Sequence, residues 1–102
     1  MYAIASRRTM NQSRVQETRE RAEAEFWPRL RAAPGFVSFS VIRGENGVTT
    51  AVTVFADKAD ADAFAEAREA WASSLNDLGH HVESVEQGEV AVHLTAATQA
   101  GS

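Results

Sequence analysis

Apolar and polar residues alternate along two neighbouring segments in the middle of the chain. The segments are Phe36–Ile42 and Val48–Phe55, and the turn between them contains Asn46-Gly47. Alternation with a period of two is typical of β-strands, and Asn-Gly readily accepts the positive φ that a tight hairpin turn requires. The pattern therefore predicts a β-hairpin, which begins after the helix-breaking pair Pro34-Gly35.

Counting alternate residues assigns the side chains of the first hairpin strand to two faces. One face carries Phe36, Ser38, Ser40 and Ile42, and the other carries Val37, Phe39 and Val41. Because both faces contain large apolar residues, a monomer would leave one of these sets exposed to water. We therefore predict a homodimer in which two sheets pack face to face. A late strand near residues 89–94 is expected to reach the partner and cover an edge of its sheet.

Apolar residues at helical spacing occur before and after the hairpin. The first set is Val15, Ala22, Phe26, Leu30 and Ala33, and the second is Phe64, Ala67, Trp71, Leu75 and Leu78. This spacing places each set on one face of an amphipathic helix. Asn11 or Ser13 is expected to cap the first helix, and Pro28 to bend its last turn or to begin a new one. Asp57 is expected to cap the second helix, which Gly79 ends.

Weaker strand patterns lie near the two ends of the chain. Tyr2–Thr9 is predicted to be the first strand, and Val82–Leu94 the last, with an interruption near Gln87-Gly88. The order β-α-β-β-α-β predicts an α+β ferredoxin-like antiparallel sheet with two helices on one face. Two such sheets would pair as a dimeric α/β barrel. Residues 1–94 form the predicted single domain, and residues 95–102 a flexible tail.

Composition excludes several classes of function. The 102 residues include no cysteine, which excludes disulfides, thiolate nucleophiles and cysteine-based metal sites. The formal net charge of −4 argues against nucleic acid as a partner, because phosphate neutralisation requires a basic surface. No apolar run approaches the roughly 20 residues that a membrane-spanning helix needs, so membrane association is not expected. A cytoplasmic location is predicted.

One part of the sequence resembles a known group of proteins. The segment from Pro34-Gly35-Phe36 through Val54-Phe55, followed by Ala-Asp-Lys-Ala-Asp-Ala and a helix with Trp71, resembles the antibiotic-biosynthesis-monooxygenase-like proteins. These belong to the dimeric α/β-barrel group. The resemblance implies a homodimer with cavities between sheet and helices. In some members such cavities bind polycyclic phenols, which are oxidised with O₂ without metal or flavin. Other members degrade haem, isomerise lactones or have no assigned activity.

Four residues are candidates for contact with a substrate. Trp71 and Phe64 belong to the apolar stripe of the second helix, where they either pack in the core or form the wall of an aromatic pocket. Ser38 and Ser40 share a strand face, and their hydroxyls either orient a phenolate or form a polar ladder at the dimer interface. The residues themselves leave both alternatives open.

Two polar residues are candidates for catalysis. Successive strand residues face opposite ways, so one of Arg7 and Arg8 points inward, and we assign Arg7 to stabilising a substrate anion. His81 is chemically suited to act as a base. The structural alternatives are a charged sheet rim for the arginines and a helix-end position for His81 and its neighbour His80.

The haem-degrading members of this group have a set of residues that can be compared with this sequence. These members pair an asparagine on the first strand with a tryptophan and an axial histidine. Trp71 and His81 have the separation of that pair, but the first strand has no asparagine and Gly79 ends the helix before His81. We therefore predict no haem. No other cofactor is predicted, and no metal, because adjacent His80 and His81 would point to opposite sides of an extended segment and no carboxylate has a familiar ligand spacing. The predicted function is a cofactor-independent monooxygenase-like protein acting on a small aromatic or phenolic substrate. The alternative is a non-catalytic homodimer that binds a small apolar ligand or serves as an accessory protein.

Overall fold

The computed structural model describes residues 1–96, which form one four-stranded antiparallel sheet with helices on one face. The strands are β1 (Tyr2–Thr9), β2 (Phe36–Arg43), β3 (Val48–Phe55) and β4 (His81–Glu89), and the helices are α1 (Val15–Arg21), α2 (Trp27–Ala32), α3 (Lys58–Ala63) and α4 (Ala65–Asp77). The strand order β2-β3-β1-β4 is that of a ferredoxin-like α+β fold, as the sequence predicts. Of the predicted tail, residues 97–102 lie outside the described residues.

The first helical region is divided around Pro28. A short 3₁₀ turn is capped by Asn11, whose side chain accepts a hydrogen bond from the Ser13 backbone N–H at 3.3 Å. After α1, residues 22–26 form a π-helical turn, in which the Trp27 N–H donates to the Ala22 carbonyl. Pro28 then lies in the first turn of α2. Because proline has no N–H to donate, a wider turn before it accommodates the missing bond, and the predicted start of a new turn is confirmed.

The second helical region has the predicted ends. The Asp57 side chain accepts a hydrogen bond from the Asp60 N–H at 3.0 Å, which caps α3. Gly79 follows α4 with φ of 84°, the left-handed conformation that glycine adopts without strain. The His80 N–H donates to the Leu75 carbonyl at 3.0 Å and closes the helix end.

The core lies between the helices and the face of the sheet that carries Tyr2 and Ile4. Its buried apolar side chains are Tyr2, Ile4, Phe26, Leu30, Phe55, Ala61 and Phe64. Phe26 is the centre of an aromatic cluster, because its ring lies 6.0 Å from the ring of Phe64 and stacks on Trp71 at 5.1 Å. Burial of these side chains supplies the main favourable term in folding.

The predicted division of β2 into two faces is wrong at its first residue. Phe36 pairs with Phe55, but Ser38 pairs with Val54, so Val37 is an extra residue that bulges from the strand. The bulge turns Phe36 to the helix-facing side of the sheet, together with Phe39 and Val41. Ser38, Ser40 and Ile42 remain on the opposite side.

The opposite side of the sheet, which we call the open face, is not covered by any helix of residues 1–96. It carries Ala3, Ala5, Arg7, Ser38, Ser40, Ile42, Thr50, Val52, Val54, Ser84 and Glu86. Strand β4 is unbroken at Gln87-Gly88 and ends at Glu89, so the predicted interruption and the predicted extension to Leu94 are both absent within the described chain. None of the described helices has the length and apolar character required to span a membrane.

Candidate functional site

A cavity of about 930 Å³ lies between the sheet and the helices, beside the turn that joins β2 to β3. Strands β1, β2 and β3 form its floor, and α1 and α4 form its sides. The helix-facing residues of the strands become small or polar near this turn, with Ala51 and Thr49 following Phe55 and Thr53 along β3. The cavity exists because these side chains do not fill the space that phenylalanine and tyrosine fill at the other end of the helix–sheet interface.

Aromatic side chains form the apolar wall of the cavity. Trp71 lies on α4, and its indole is held nearly parallel to the Phe26 ring, with 6° between the planes. Trp27, directly after the π-helical turn, and Phe39 of β2 also line the cavity. Flat rings can stack on such surfaces, so the wall suits an aromatic ligand.

Three arginine side chains supply the positive charge in the polar part of the lining. Arg8 pairs with Thr49, and Thr49 pairs with Arg43, so these three residues form a row across β1, β3 and β2. Arg19 of α1 also lines the cavity, and Glu45 supplies the one carboxylate of the described lining. Burial lowers the pKa of Arg8, but a guanidinium remains protonated at neutral pH. Its buried Nε has no hydrogen-bond partner among the described residues.

A buried histidine lies behind the polar part of the lining. The Nδ1 atom of His80 accepts a hydrogen bond from the Asn11 N–H at 2.9 Å, so its ring proton is on Nε2. Nε2 lies 2.6 Å from Oγ1 of Thr18, which in turn donates to the Arg14 carbonyl at 2.7 Å. Burial, and then the charges of Arg8 and Arg14, lower the pKa of His80. The neutral ring therefore joins the start of the first helical region to the loop before β4.

The structure brings only one of the predicted site residues into the cavity, and that residue is Trp71. Phe64 is buried in the core, where its ring lies 5.8 Å from that of Phe55. Ser38 and Ser40 are on the open face.

The two predicted catalytic residues also lie outside the cavity lining. Arg7 is exposed on the open face, opposite Thr50 of β3. His81 is exposed at the start of β4, opposite Thr9. Neither placement tests a catalytic role, but neither side chain lines the cavity.

Of the pair Arg7 and Arg8, the sequence analysis chose Arg7, although the sequence contained a signal for Arg8. Tyr2 and Ile4 are the strong apolar residues of β1, so the even-numbered positions face the core and Arg8 follows in the same series. Arg43 continues the alternating series of Phe39 and Val41 along β2. It could not be chosen from the sequence, because both faces of that strand carry large apolar residues and the pattern does not tell which face meets the helices.

The described part of the chain contains no cluster of side chains that could form a metal centre. Within residues 1–96, no three histidine, cysteine, aspartate or glutamate side chains lie close enough to hold an ion. The charged groups of the cavity lining are mainly cationic and suit an anion.

Solved structures with the same fold have little sequence in common with this chain. A protein of Deinococcus radiodurans, described as a "putative antibiotic biosynthesis monooxygenase", is 10% identical, with a TM-score of 0.75 over 96% of this chain and 100% of that one. A dimeric ferredoxin-like protein from an uncultured marine organism is 12% identical, with a TM-score of 0.71 over 94% and 100%. SnoaB of Streptomyces nogalater, a cofactor-independent oxygenase, is 16% identical, with a TM-score of 0.64 over 95% and 97%.

These similarities confirm the fold that the sequence resemblance implies. The chain has the architecture of structures described as putative antibiotic biosynthesis monooxygenases, and the superposition covers nearly all of both chains. No protein-family model and no curated protein matches the sequence. Identities of 10–16% establish a common fold and leave the activity to be argued from the site.

Proposed function

We propose that this chain is a cofactor-independent monooxygenase acting on a small, flat aromatic or phenolic substrate. The observation that carries the proposal is the cavity between sheet and helices with its aromatic wall of Trp27, Phe39 and Trp71. Its volume of about 930 Å³ is at the upper end of the usual range for small-molecule sites. The similarity in fold to a cofactor-independent oxygenase supports the same reaction class.

The proposed reaction needs no redox group from the protein. An electron-rich polycyclic phenolate transfers electrons to O₂. A methylene carbon between two rings becomes a carbonyl that contains one oxygen atom, and the other oxygen leaves as water with the two hydrogens of the methylene. The protein excludes water, orients the rings and stabilises the anion. In this proposal Trp71 contacts the rings, and Arg8 takes the anion-stabilising role that the sequence assigned to Arg7.

One observation favours the alternative of a non-catalytic binding protein. The described cavity lining contains no histidine, lysine or aspartate, and its one carboxylate, that of Glu45, is on an exposed turn. A general base would have to be the substrate itself, as a phenol that is already ionised, or a group outside the lining. The two proposals differ in turnover but agree on the binding site.

The experiment that separates them is oxygen consumption with a panel of anthrones and hydroquinones. We expect metal-free uptake by the wild type, and a clear fall in rate for Trp71→Phe and for Arg8→Gln. Arg31→Gln is the matched control for loss of charge, because Arg31 is exposed on α2. Uptake no faster than in buffer, with folded protein, would reject the monooxygenase and leave the binding protein.

We further propose that the chain forms a homodimer through its open face. The face exposes Ile42, and the segment after β4 exposes Val92 and Leu94, which are 58%, 74% and 87% accessible. Apolar surface of this kind is usually covered, and one structural neighbour is a dimeric ferredoxin-like protein. In this arrangement Ser38 and Ser40 lie at the interface, the second of the two roles predicted for them.

Light scattering at micromolar concentration tests the dimer. The wild type is expected at about twice the chain mass of 11.1 kDa, and Val52→Arg, at the centre of the open face, at the mass of one chain. A monomeric wild type would reject the dimer without affecting the cavity. The cytoplasmic location is likewise a proposal, which imaging of a tagged chain can test.

A further inference from the structure

The charge of the cavity is opposite to that of the chain as a whole. The chain has a formal charge of −4, but the described cavity lining contains three arginines and one glutamate. Arg19 is paired with Glu23 at 3.5 Å and is largely exposed. Within residues 1–96, Arg8 and Arg43 have no carboxylate within 4.0 Å. Two cations of the lining are therefore without a protein counter-ion.

The positions of these two arginines suit a single anionic group. Arg8, Thr49 and Arg43 occupy one row on the helix-facing side of three adjacent strands. Neighbouring strands are about 4.8 Å apart, so the backbones at the two ends of the row are roughly 10 Å apart. The long arginine side chains can approach one group from opposite sides across this distance, and Thr49 lies between them in the row.

The environment of Arg8 indicates what that group must supply. Its side chain is half-buried, and its Nε is shielded from water without a hydrogen-bond partner in the described chain. A buried charge costs free energy unless it is paired and hydrogen-bonded. A carboxylate meets both needs, because its two oxygens match the planar fork of a guanidinium. The aromatic wall beside the row accommodates the rest of the ligand.

We infer that the cavity binds an aromatic carboxylic acid, with its rings against Trp71 and its carboxylate between Arg8 and Arg43. This deepens the proposed function by naming the substrate class, and it rests on that proposal in taking this cavity as the binding site. A phenolic acid fits both the proposed reaction and the inferred binding mode. Its phenolate can react with O₂, and its carboxylate fixes the orientation of the rings.

Calorimetric titration with two probes of nearly equal shape tests the inference. The probes are 2-naphthoate and its neutral amide, 2-naphthamide, at about pH 7.5. We expect the wild type to bind the naphthoate about tenfold or more tightly than the amide, because charge-assisted hydrogen bonds are roughly twice as strong as neutral ones. Raising the salt concentration should reduce this preference, since salt screens a partly exposed ion pair.

Substitutions assign the preference to particular residues. Arg8→Gln and Arg43→Gln should each weaken naphthoate binding severalfold and leave amide binding nearly unchanged. Arg31→Gln removes the same charge from an exposed position on α2 and should keep the full preference. Arg8→Lys retains the charge without the fork and should recover part of the loss. If Arg8→Gln does not fold, Arg43→Gln, at an exposed position, decides the question.

The outcomes separate this inference from the proposed function. Equal affinity of the wild type for the two probes, or no measurable binding of either, would overturn the inference. A preference that both glutamine variants retain would also overturn it. Acid preference without oxygen uptake would uphold the inference and reject the monooxygenase. Oxygen uptake with neutral anthrones, without a preference for the acid, would uphold the monooxygenase and reject the inference.

Discussion

The two ends of the helix–sheet interface are built from the same strands but have opposite properties. At the filled end, which contains Phe26, Leu30, Phe55 and Phe64, the side chains are buried in contact with one another. At the cavity end, beside the β2–β3 turn, the same strand faces line open space. The helix-facing residues run Tyr2, Ile4, Ser6 and Arg8 along β1, and Phe55, Thr53, Ala51 and Thr49 along β3.

This contrast separates stability from binding along a single sheet face. Large apolar side chains at the filled end supply buried area, which stabilises the fold. Small and charged side chains at the cavity end supply space and polarity for a ligand. Trp71 belongs to both ends, because it stacks on Phe26 of the core and also lines the cavity. Core packing and contact with a ligand, the two roles considered for it from the sequence, are thus compatible.

The largest expected effect comes from a core truncation at the filled end. Phe55 is fully buried, so Phe55→Ala should lower the free energy of unfolding by about 3–5 kcal/mol. Val41→Ala, at a residue of the cavity lining that is 54% exposed, should change it by no more than about 1 kcal/mol. Urea denaturation of both variants measures the difference. Similar losses would show that the two ends contribute equally to stability.

A second substitution fills the cavity end. Ala51 faces the cavity from the centre of β3, and Ala51→Phe should weaken 2-naphthoate binding by about tenfold or more because the ring occupies ligand space. Its free energy of unfolding should change by no more than about 1–3 kcal/mol, the usual range for added volume. Ala32→Phe adds the same ring at an exposed position of α2 and should bind normally. Normal binding by Ala51→Phe would place the ligand elsewhere.

The smallest effect concerns the pH dependence of the cavity end. His80 has a folded-state pKa below its ordinary value of 6.5. Between that lower pKa and about pH 6.5, the unfolded chain binds a proton that the folded chain does not. The stabilising contribution of neutral His80 is therefore complete above about pH 6.5 and is lost as the pH falls.

Urea midpoints at about pH 7.5 and pH 5 measure this contribution. The wild type should lose more stability over this interval than His80→Gln, which cannot titrate. His81→Gln, at the exposed neighbouring position, should retain the wild-type dependence. Equal pH dependence of the wild type and His80→Gln would show that protonation of the buried ring does not limit stability.

Local signals in the sequence were sufficient for the order of the elements and for the helix ends, but not for the end of β4. The cap at Asp57 and the helix end at Gly79 follow from the chemistry of single residues, and the structure confirms both. Of the two candidates for the first cap, Asn11 and Ser13, the structure selects Asn11. The predicted site residues were placed less well, because only Trp71 of them lines the cavity. Arg7 and Arg8 differ by one position, and that position decides which face of the sheet each side chain occupies.

The sequence by itself determined the order of strands and helices, because their periodicity and caps are properties of consecutive residues. Only the tertiary structure decided which side chains meet in the cavity. The bulge at Val37 puts Phe36 on the same face as Phe39 through strand pairing. The hydrogen-bond partners of the His80 ring are separated from it by more than 60 residues. Such contacts depend on register and packing across the whole sheet, and no local pattern encodes them.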